Sequence, residues 1–330
     1  MSESTQQLID ELVERDPATG VSLACLVVLD GEVVGERYGT QPANDFQDAV
    51  TIGADSTLIS WSMAKSMTHA ALGLLVDDGL VDPAEPAPVA EWDGTDKASI
   101  TLNHLLEMRS GLQFVEDYVD GETSNCIEML FSGTAPSFAA YAADLPLVAE
   151  PGTVFNYSSG TTNIVARIVG DVVAGSDRND PGARREKVGE FLRTRLFEPA
   201  GMTSAIPKFD DAGDFVGSSY VYATARDFAR FGELYLRGGL GPTGERVLSE
   251  EWARHGTEWT AHDPDSGFDY ARHFWKWPAF PGSFSCHGYE GQFVLVDPSV
   301  DLVVVHLGKT DISHQRGLTM GLARIAQSVR

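Results

Sequence analysis

The chain reads as an α+β protein: one antiparallel sheet flanked by helices, with a separate helical lobe. Three observations predict this. A hairpin stands near the N-terminus, where Val21 to Leu29 and Glu32 to Gly39 flank the turn pair Asp30-Gly31. Two adjacent strands stand near the C-terminus, Gln292 to Val296 and Leu302 to Leu307, separated by the turn Asp297-Pro298. The residues between them show mainly helical periodicity. A hairpin at one end and strands at the other bury their apolar faces best in a single sheet, so the helical middle is an insertion between sheet halves. Residues 1–75 and 240–330 are thus expected to form a discontinuous sheet lobe. Residues 76–239 are expected to form the mainly helical lobe.

Taken in order, Thr5 to Arg15 is a short amphipathic helix carrying Leu8, Leu12 and Val13 on one side, stopped by Pro17. Gln41 to Ala54 reads as loop, and Thr57-Leu58-Ile59 as an extended lead-in. From Ser60 to Gly79 the apolar residues Met63, Met67, Ala70, Ala71, Leu74 and Leu75 recur at helical spacing. Ser60 is the expected N-cap, and Gly79 the left-handed C-cap. Leu80 to Pro88, with three prolines, is a rigid loop. Ile100 to Met108 is a helix capped by Thr101. Asn125 to Phe131 and Ser137 to Ala143 are short helices. Thr162 to Val173 and Gly189 to Leu196 are helical. Thr224 caps a helix running to Leu236, stopped by Gly238-Gly239. Phe284 to Gly288 leads into the C-terminal strands, and Gln315 to Val329 is the closing helix.

Composition bounds the partners. The 330 residues are 43% hydrophobic and 22% charged, ordinary for a globular chain, but the formal net charge is −24. A basic face for nucleic acid is absent, so no nucleic-acid partner is expected. No apolar run reaches transmembrane length, so no membrane partner is expected either. Cys25, Cys126 and Cys286 are odd in number and match no zinc or redox spacing. Reduced thiols, and an opening Met1-Ser2-Glu3-Ser4-Thr5-Gln6 without a basic or apolar leader, point to the cytoplasm. Asp263 and Asp265 near His262 lack a metal-binding pattern, and neither a metal nor a cofactor is expected. The oligomeric state is left open.

Chemistry enters at Ser62. It lies in the first turn of the Ser60–Gly79 helix, near backbone N–H groups that have no helical partner. Lys65 shares its face three residues on. A serine hydroxyl needs a neighbouring base to become a nucleophile, and a lysine serves only when burial or nearby positive charge lowers its pKa. By itself the spacing also suits an amphipathic helix whose lysine reaches solvent. Two further stretches shift the balance. Phe155-Asn156-Tyr157-Ser158-Ser159-Gly160 places a tyrosine before a helix. Cys286-His287-Gly288-Tyr289-Glu290-Gly291-Gln292 opens a strand with glycines that let a ligand approach the backbone.

In this order, the three stretches resemble the serine β-lactamase and penicillin-binding protein superfamily, and most closely its class C β-lactamase-like branch of esterases and 6-aminohexanoate-dimer hydrolases. The likeness runs from about Val21 to Ala326. It includes Leu102 to Leu112, Glu150 to Ser158 and Ala223 to Gly232. The resemblance implies a β-lactamase/transpeptidase-like fold, with the active site in the cleft between the two lobes. It makes Ser62 the acylated nucleophile, and Lys65 and Tyr157 the general base and acid, with Tyr157 at a lowered pKa. The backbone N–H groups of Ser62 and Tyr289 would form the oxyanion hole. Ser159, Cys286, His287 and Gly288 would contact substrate.

Two departures stand out. The asparagine of the family's Tyr-x-Asn motif is Ser159. Where the family has Lys-Thr-Gly, alignment on the glycine puts Cys286 at the lysine, and a shift by one puts His287 there. Binding of a substrate carboxylate is weakened either way. His69 reads as a packed core histidine. Trp275-Lys276-Trp277 either lines an acyl pocket or packs as a loop on the sheet. The implied activity is metal-independent hydrolysis of a small-molecule ester or amide through an acyl-enzyme. An acyltransferase, a true β-lactamase and a non-catalytic penicillin-recognising protein share the same residues. Adding an acyl acceptor separates transfer from hydrolysis, and turnover separates an enzyme from a binding protein.

Overall fold

In the computed structural model, which describes residues 4–118, 124–264 and 266–330, the two ends of the chain build one antiparallel sheet. Asp265 lies outside the described residues. The sheet has eight strands among those residues. Their order across it is Glu32–Tyr38, Val21–Leu29, Leu302–Lys309, Gln292–Asp297, Phe284–Gly288, Trp275–Lys276, Asp269–Tyr270 and Ala261–His262. The hairpin turn is formed by Asp30 and Gly31, both at positive φ (51° and 80°), the twist that suits a two-residue hairpin. The expected junction of chain ends is present: Val21 pairs with Lys309 and Leu29 with Leu302.

The Val21–Leu29 strand is buried along nearly its whole length because both of its faces are covered. Cys25 and Val27 enter a core with Leu8, Ile9 and Leu12 of the first helix and Leu318, Leu322 and Ile325 of the last. Ala24, Leu26 and Val28 face a second core with Phe228 and Phe231 of the Ala225–Leu236 helix. That second core continues through Met63, Met67, Ala70, Ala71, Leu74 and Leu75 into Ile164, Val165 and Ile168 of the Ser159–Ala174 helix. The helix carrying Lys65 therefore runs through the interior, and the reading of a lysine reaching solvent is excluded.

Local capping largely follows the sequence. Thr101 caps Leu102–Leu106 in a reciprocal box with His104, and the Thr224 side chain accepts from Asp227 N–H. Past Asp77, Gly79 N–H donates to Val76 O (2.9 Å) and Leu80 N–H to Leu75 O (2.9 Å), with Gly79 at φ 69°. This is the expected left-handed C-cap.

The structure corrects four expectations. Ser60 does not cap with its side chain. The α-helix spans Ala64–Asp77 and is preceded by a 3₁₀ turn at Trp61–Met63. The buried Ser60 hydroxyl instead accepts from Val221 N–H (3.1 Å), tying the turn to the Val221–Ala223 strand. The Ser159–Ala174 helix starts earlier than read because the Ser158 side chain, accepting from Thr161 N–H, caps it. Helix also extends back to Pro181, at N1 behind the Asp180 cap. Finally, Trp275–Lys276 is a strand in the sheet and not a loop. Its side chains pack as a strand's do, with buried Trp275 against Tyr270 and Tyr157.

No helix among the described residues is long and apolar enough to cross a membrane.

Candidate active site

Ser62 sits in the Trp61–Met63 turn. The residue before it, Trp61, has φ 43°, an uncommon conformation for a bulky side chain and a point of local strain. The turn is held from behind: Ser60 N–H donates to Val221 O (2.8 Å) and Met63 N–H to Ser60 O (3.2 Å). From the front it meets the Phe284–Gly288 strand. A Cβ built on Gly288 would lie 2.4 Å from Ser60 O, so only glycine lets the strand come this close. Gly288→Ala is therefore expected to push the strand off the turn that carries Ser62. A displacement of about 1 Å can cost on the order of 10²-fold in rate, so kcat/KM should fall by about that factor. Activity and thermal melting measured together check this; a variant with wild-type kcat/KM would refute the close approach.

Lys65 is 2% exposed, and its ammonium points back along the helix face. It donates to Ser62 Oγ (2.9 Å), Ser159 Oγ (2.9 Å) and Ser218 O (3.1 Å). These use all of its donors. Burial lowers its pKa, and the Glu116 carboxylate opposes that shift. The amine is thereby brought toward its neutral form.

Tyr157 stands just before the Ser159–Ala174 helix. Lys65 Nζ lies over its ring, 4.8 Å from the centroid. Burial and Glu116 raise the phenol well above its ordinary value, and its interaction with the Ser62 side chain opposes this. The expected lowered pKa is thus reversed. The lysine cation meets the ring face, while the low-dielectric surroundings disfavour a phenolate. Tyr157 is held as an acid. Its ring packs on Trp275 (5.5 Å) and edge-on to Tyr270 (5.9 Å).

Tyr289 begins the turn after Gly288, in which Glu290 has φ 60°. The Glu290 side chain interacts with that of Trp61, which links this turn to the one carrying Ser62. The Trp61 and Tyr289 rings meet edge-on at 5.8 Å, and Tyr118 packs on Tyr289 at 4.6 Å. The backbone of Tyr289 is therefore beside the segment carrying Ser62, on an aromatic rim.

The other predicted contacts separate. Cys286 is 1% exposed in the main core, where burial pushes its thiol up to about 12. It presents no group to a substrate. His287 points to the opposite sheet face, as strand alternation requires. It stacks on Trp275 (5.3 Å, 10°), meets Phe293 edge-on and bonds Ser285 Oγ through Nε2 (2.8 Å). Burial pushes its pKa down to about 3, so it is a neutral imidazole at working pH and does not replace a lysine's charge. Ser159 does reach the site, through Lys65. His69 is a buried core histidine, bonded to Tyr235 through Nδ1 (2.8 Å) and stacked on Trp252 (4.6 Å).

Two contributors escaped the sequence, Ser218 and Glu116. Ser218 O accepts from Lys65; Trp275, named there as one wall of a possible acyl pocket, backs Tyr157. Glu116 accepts from both the backbone N–H (2.7 Å) and the hydroxyl (2.6 Å) of Ser159. An acidic residue in a loop has no periodic or spacing signal; only the fold brings it there. Among the described residues, no group of three or more His, Cys, Asp or Glu side chains is arranged to hold a metal ion.

Comparison with known proteins gives the family and the fold. Residues 5–326 match the protein family described as Beta-lactamase. The chain is 29% identical over 320 residues to 6-aminohexanoate-dimer hydrolase of Paenarthrobacter ureafaciens, covering 91% of this chain and 76% of that protein. Its fold is similar to that of a family VIII carboxylesterase (TM-score 0.72, 17% identity, 99% of this chain and 98% of the other). It is equally similar to that of D-amino acid amidase from Ochrobactrum anthropi (TM-score 0.72, 16% identity, 98% of each).

Proposed function

The chain belongs to the β-lactamase family, and from that premise we propose that it is a serine hydrolase cleaving an ester or a linear amide through an acyl-enzyme on Ser62. The observation that carries the reading is the 2.9 Å contact between Ser62 Oγ and the fully interior Lys65. A relative named 6-aminohexanoate-dimer hydrolase, and fold neighbours named as a carboxylesterase and a D-amino acid amidase, support the choice of bond.

In the proposed reaction neutral Lys65 takes the Ser62 proton as Oγ attacks the substrate carbonyl carbon. The carbonyl oxygen gains the charge and is received by the backbone N–H groups of Ser62 and Tyr289. Collapse breaks the bond to the leaving alcohol or amine, which takes the Tyr157 proton. Tyr157 is re-protonated by Lys65. Water then attacks the acyl-enzyme, giving its proton to Lys65; the bond between Ser62 Oγ and the acyl carbon breaks, Lys65 returns the proton to Ser62 Oγ, and the acid leaves. No step requires a metal or cofactor.

Substrate charge tests the reading. Efficient β-lactam turnover calls for a cation to receive the drug's carboxylate, and a charge-assisted hydrogen bond of that kind is worth about 1.5–3 kcal/mol. Here the strand offers a buried thiol and a neutral imidazole, and Glu116 adds negative charge nearby. Nitrocefin should therefore be a poor substrate, and p-nitrophenyl acetate and butyrate good ones. Mild acid should not rescue nitrocefin, because His287 stays neutral until about pH 3. Comparing kcat/KM for these substrates on one preparation, at mildly acidic and mildly alkaline pH, measures this. Nitrocefin turnover matching that of the esters would overturn the assignment to uncharged substrates.

A further inference from the structure

We propose that Glu116 is a positioning residue of this reaction: its carboxylate clamps Ser159, and through Ser159 holds Lys65 on Ser62. The proposal rests on the Ser62 hydrolase reading above.

The position that carries asparagine in the family motif is Ser159, and a serine hydroxyl has a single proton to give. Ser159 Oγ donates it to Glu116 Oε1 (2.6 Å) and so turns its lone pairs toward Lys65 Nζ (2.9 Å). Without the carboxylate that hydroxyl rotates freely, and its proton can face the ammonium. The second oxygen, Oε2, takes the Ser159 backbone N–H (2.7 Å), a first-turn donor of the Ser159–Ala174 helix. One carboxylate thus fixes side chain and backbone of the same residue. The clamp is itself held, because the Tyr118 hydroxyl and the Cys126 thiol (3.5 Å) both donate to Oε1. The clamp also sets a negative charge beside the site.

That charge has a consequence of its own. The path through Ser159 Oγ places Lys65 Nζ within about 5.5 Å of Glu116, close enough to favour the ammonium against the pull of burial. The other titratable groups facing Lys65 are Tyr157, Cys126 and His273. Burial raises Tyr157, raises Cys126 to about 12 and lowers His273 to about 3, so these three stay neutral where the enzyme works. Asp263 acts on Tyr157 from further out. Activity that needs neutral Lys65 rises with pH through the lysine's pKa. Removing the Glu116 charge must move that rise to lower pH.

The test uses the full chain and p-nitrophenyl butyrate. Glu116→Gln keeps the shape and one of the two acceptor oxygens but removes the charge. Its acidic limb in kcat/KM against pH is expected about one pH unit below the wild type's. Glu116→Ala and Ser159→Ala should each lower the plateau kcat/KM on the order of ten- to a hundred-fold. The double variant should be no worse than the poorer single, because the two residues act as one unit. An acidic limb that stays put or moves upward in Glu116→Gln overturns the proposal, as does a double variant whose loss equals the product of the single losses. Trapping of the acyl group on Ser62 of the wild type separates the two hypotheses. With the adduct present, a failed Glu116 test sinks the clamp alone; without it, the hydrolase reading fails first.

Discussion

Ser62→Ala is expected to abolish ester hydrolysis, with kcat lower by on the order of a million-fold, while the protein remains folded. The size of the effect follows from the proposed covalent step, which has no substitute nucleophile once Oγ is gone. The intact fold follows from the surroundings. Lys65 keeps two acceptors, Ser159 Oγ and Ser218 O, so no buried charge is stranded by the change. The turn is held by the backbone of Ser60 and Met63, independently of the Ser62 side chain. Circular dichroism and thermal melting test the fold, and mass spectrometry after brief exposure to p-nitrophenyl butyrate tests the adduct. Wild-type rates in the variant, with no acyl group on Ser62 of the parent, would end the hypothesis.

Lys65→Met and Lys65→Arg should both lower kcat/KM, by about 10²- to 10⁴-fold, the usual contribution of a positioned general base. The pair is informative because the two changes fail for different reasons. Methionine fills the buried channel but accepts no proton, and it leaves the Glu116–Ser159 pair facing an apolar side chain. Arginine restores a cation near Glu116, yet a guanidinium stays protonated and cannot act as the base. If Lys65 served only as a fixed positive charge, Lys65→Arg would keep much of the activity; a variant within tenfold of wild type would refute the base role. The wild-type pH profile adds a direction. Burial lowers the lysine's pKa, so the neutral amine appears below the pH where a free lysine would lose its proton, and activity should begin to rise there. A rise confined to the ordinary lysine range would argue against a desolvated base.

How much of this was legible in the chain depends on the distance over which each signal acts. The Asp30-Gly31 hairpin, the Thr101 and Thr224 caps and the Gly79 stop are local. They are decided by backbone preference and by hydrogen bonds a few residues long, and each appears where the sequence puts it. Ser62 and Lys65 belong partly to the same class: a spacing of three residues across the turn and the helix start puts them on one side, and burial of the helix then turns Lys65 inward, 2.9 Å from Ser62 Oγ. The meeting of the hairpin with the C-terminal strands was legible too, because an apolar strand pair at each end has no other way to bury both faces.

The tertiary structure decided the rest. Strand periodicity puts Cys286 and His287 on opposite faces but does not say which face meets the core; packing against the Ala225–Leu236 helix decides that. The protonation of His287 follows from aromatic rings gathered from Phe268, Trp275, Trp277 and Phe293. Tyr157 is an acid and not an incipient phenolate because desolvation outweighs a cation placed on its ring face. Glu116 meets Ser159 across 43 residues of chain. The sequence alone determined the local elements and the Ser62–Lys65 spacing, since these rest on near-neighbour geometry. Dielectric environment and long-range contact exist only once the chain has closed on itself, and so the charge state of the site and its acidic clamp are properties of the fold.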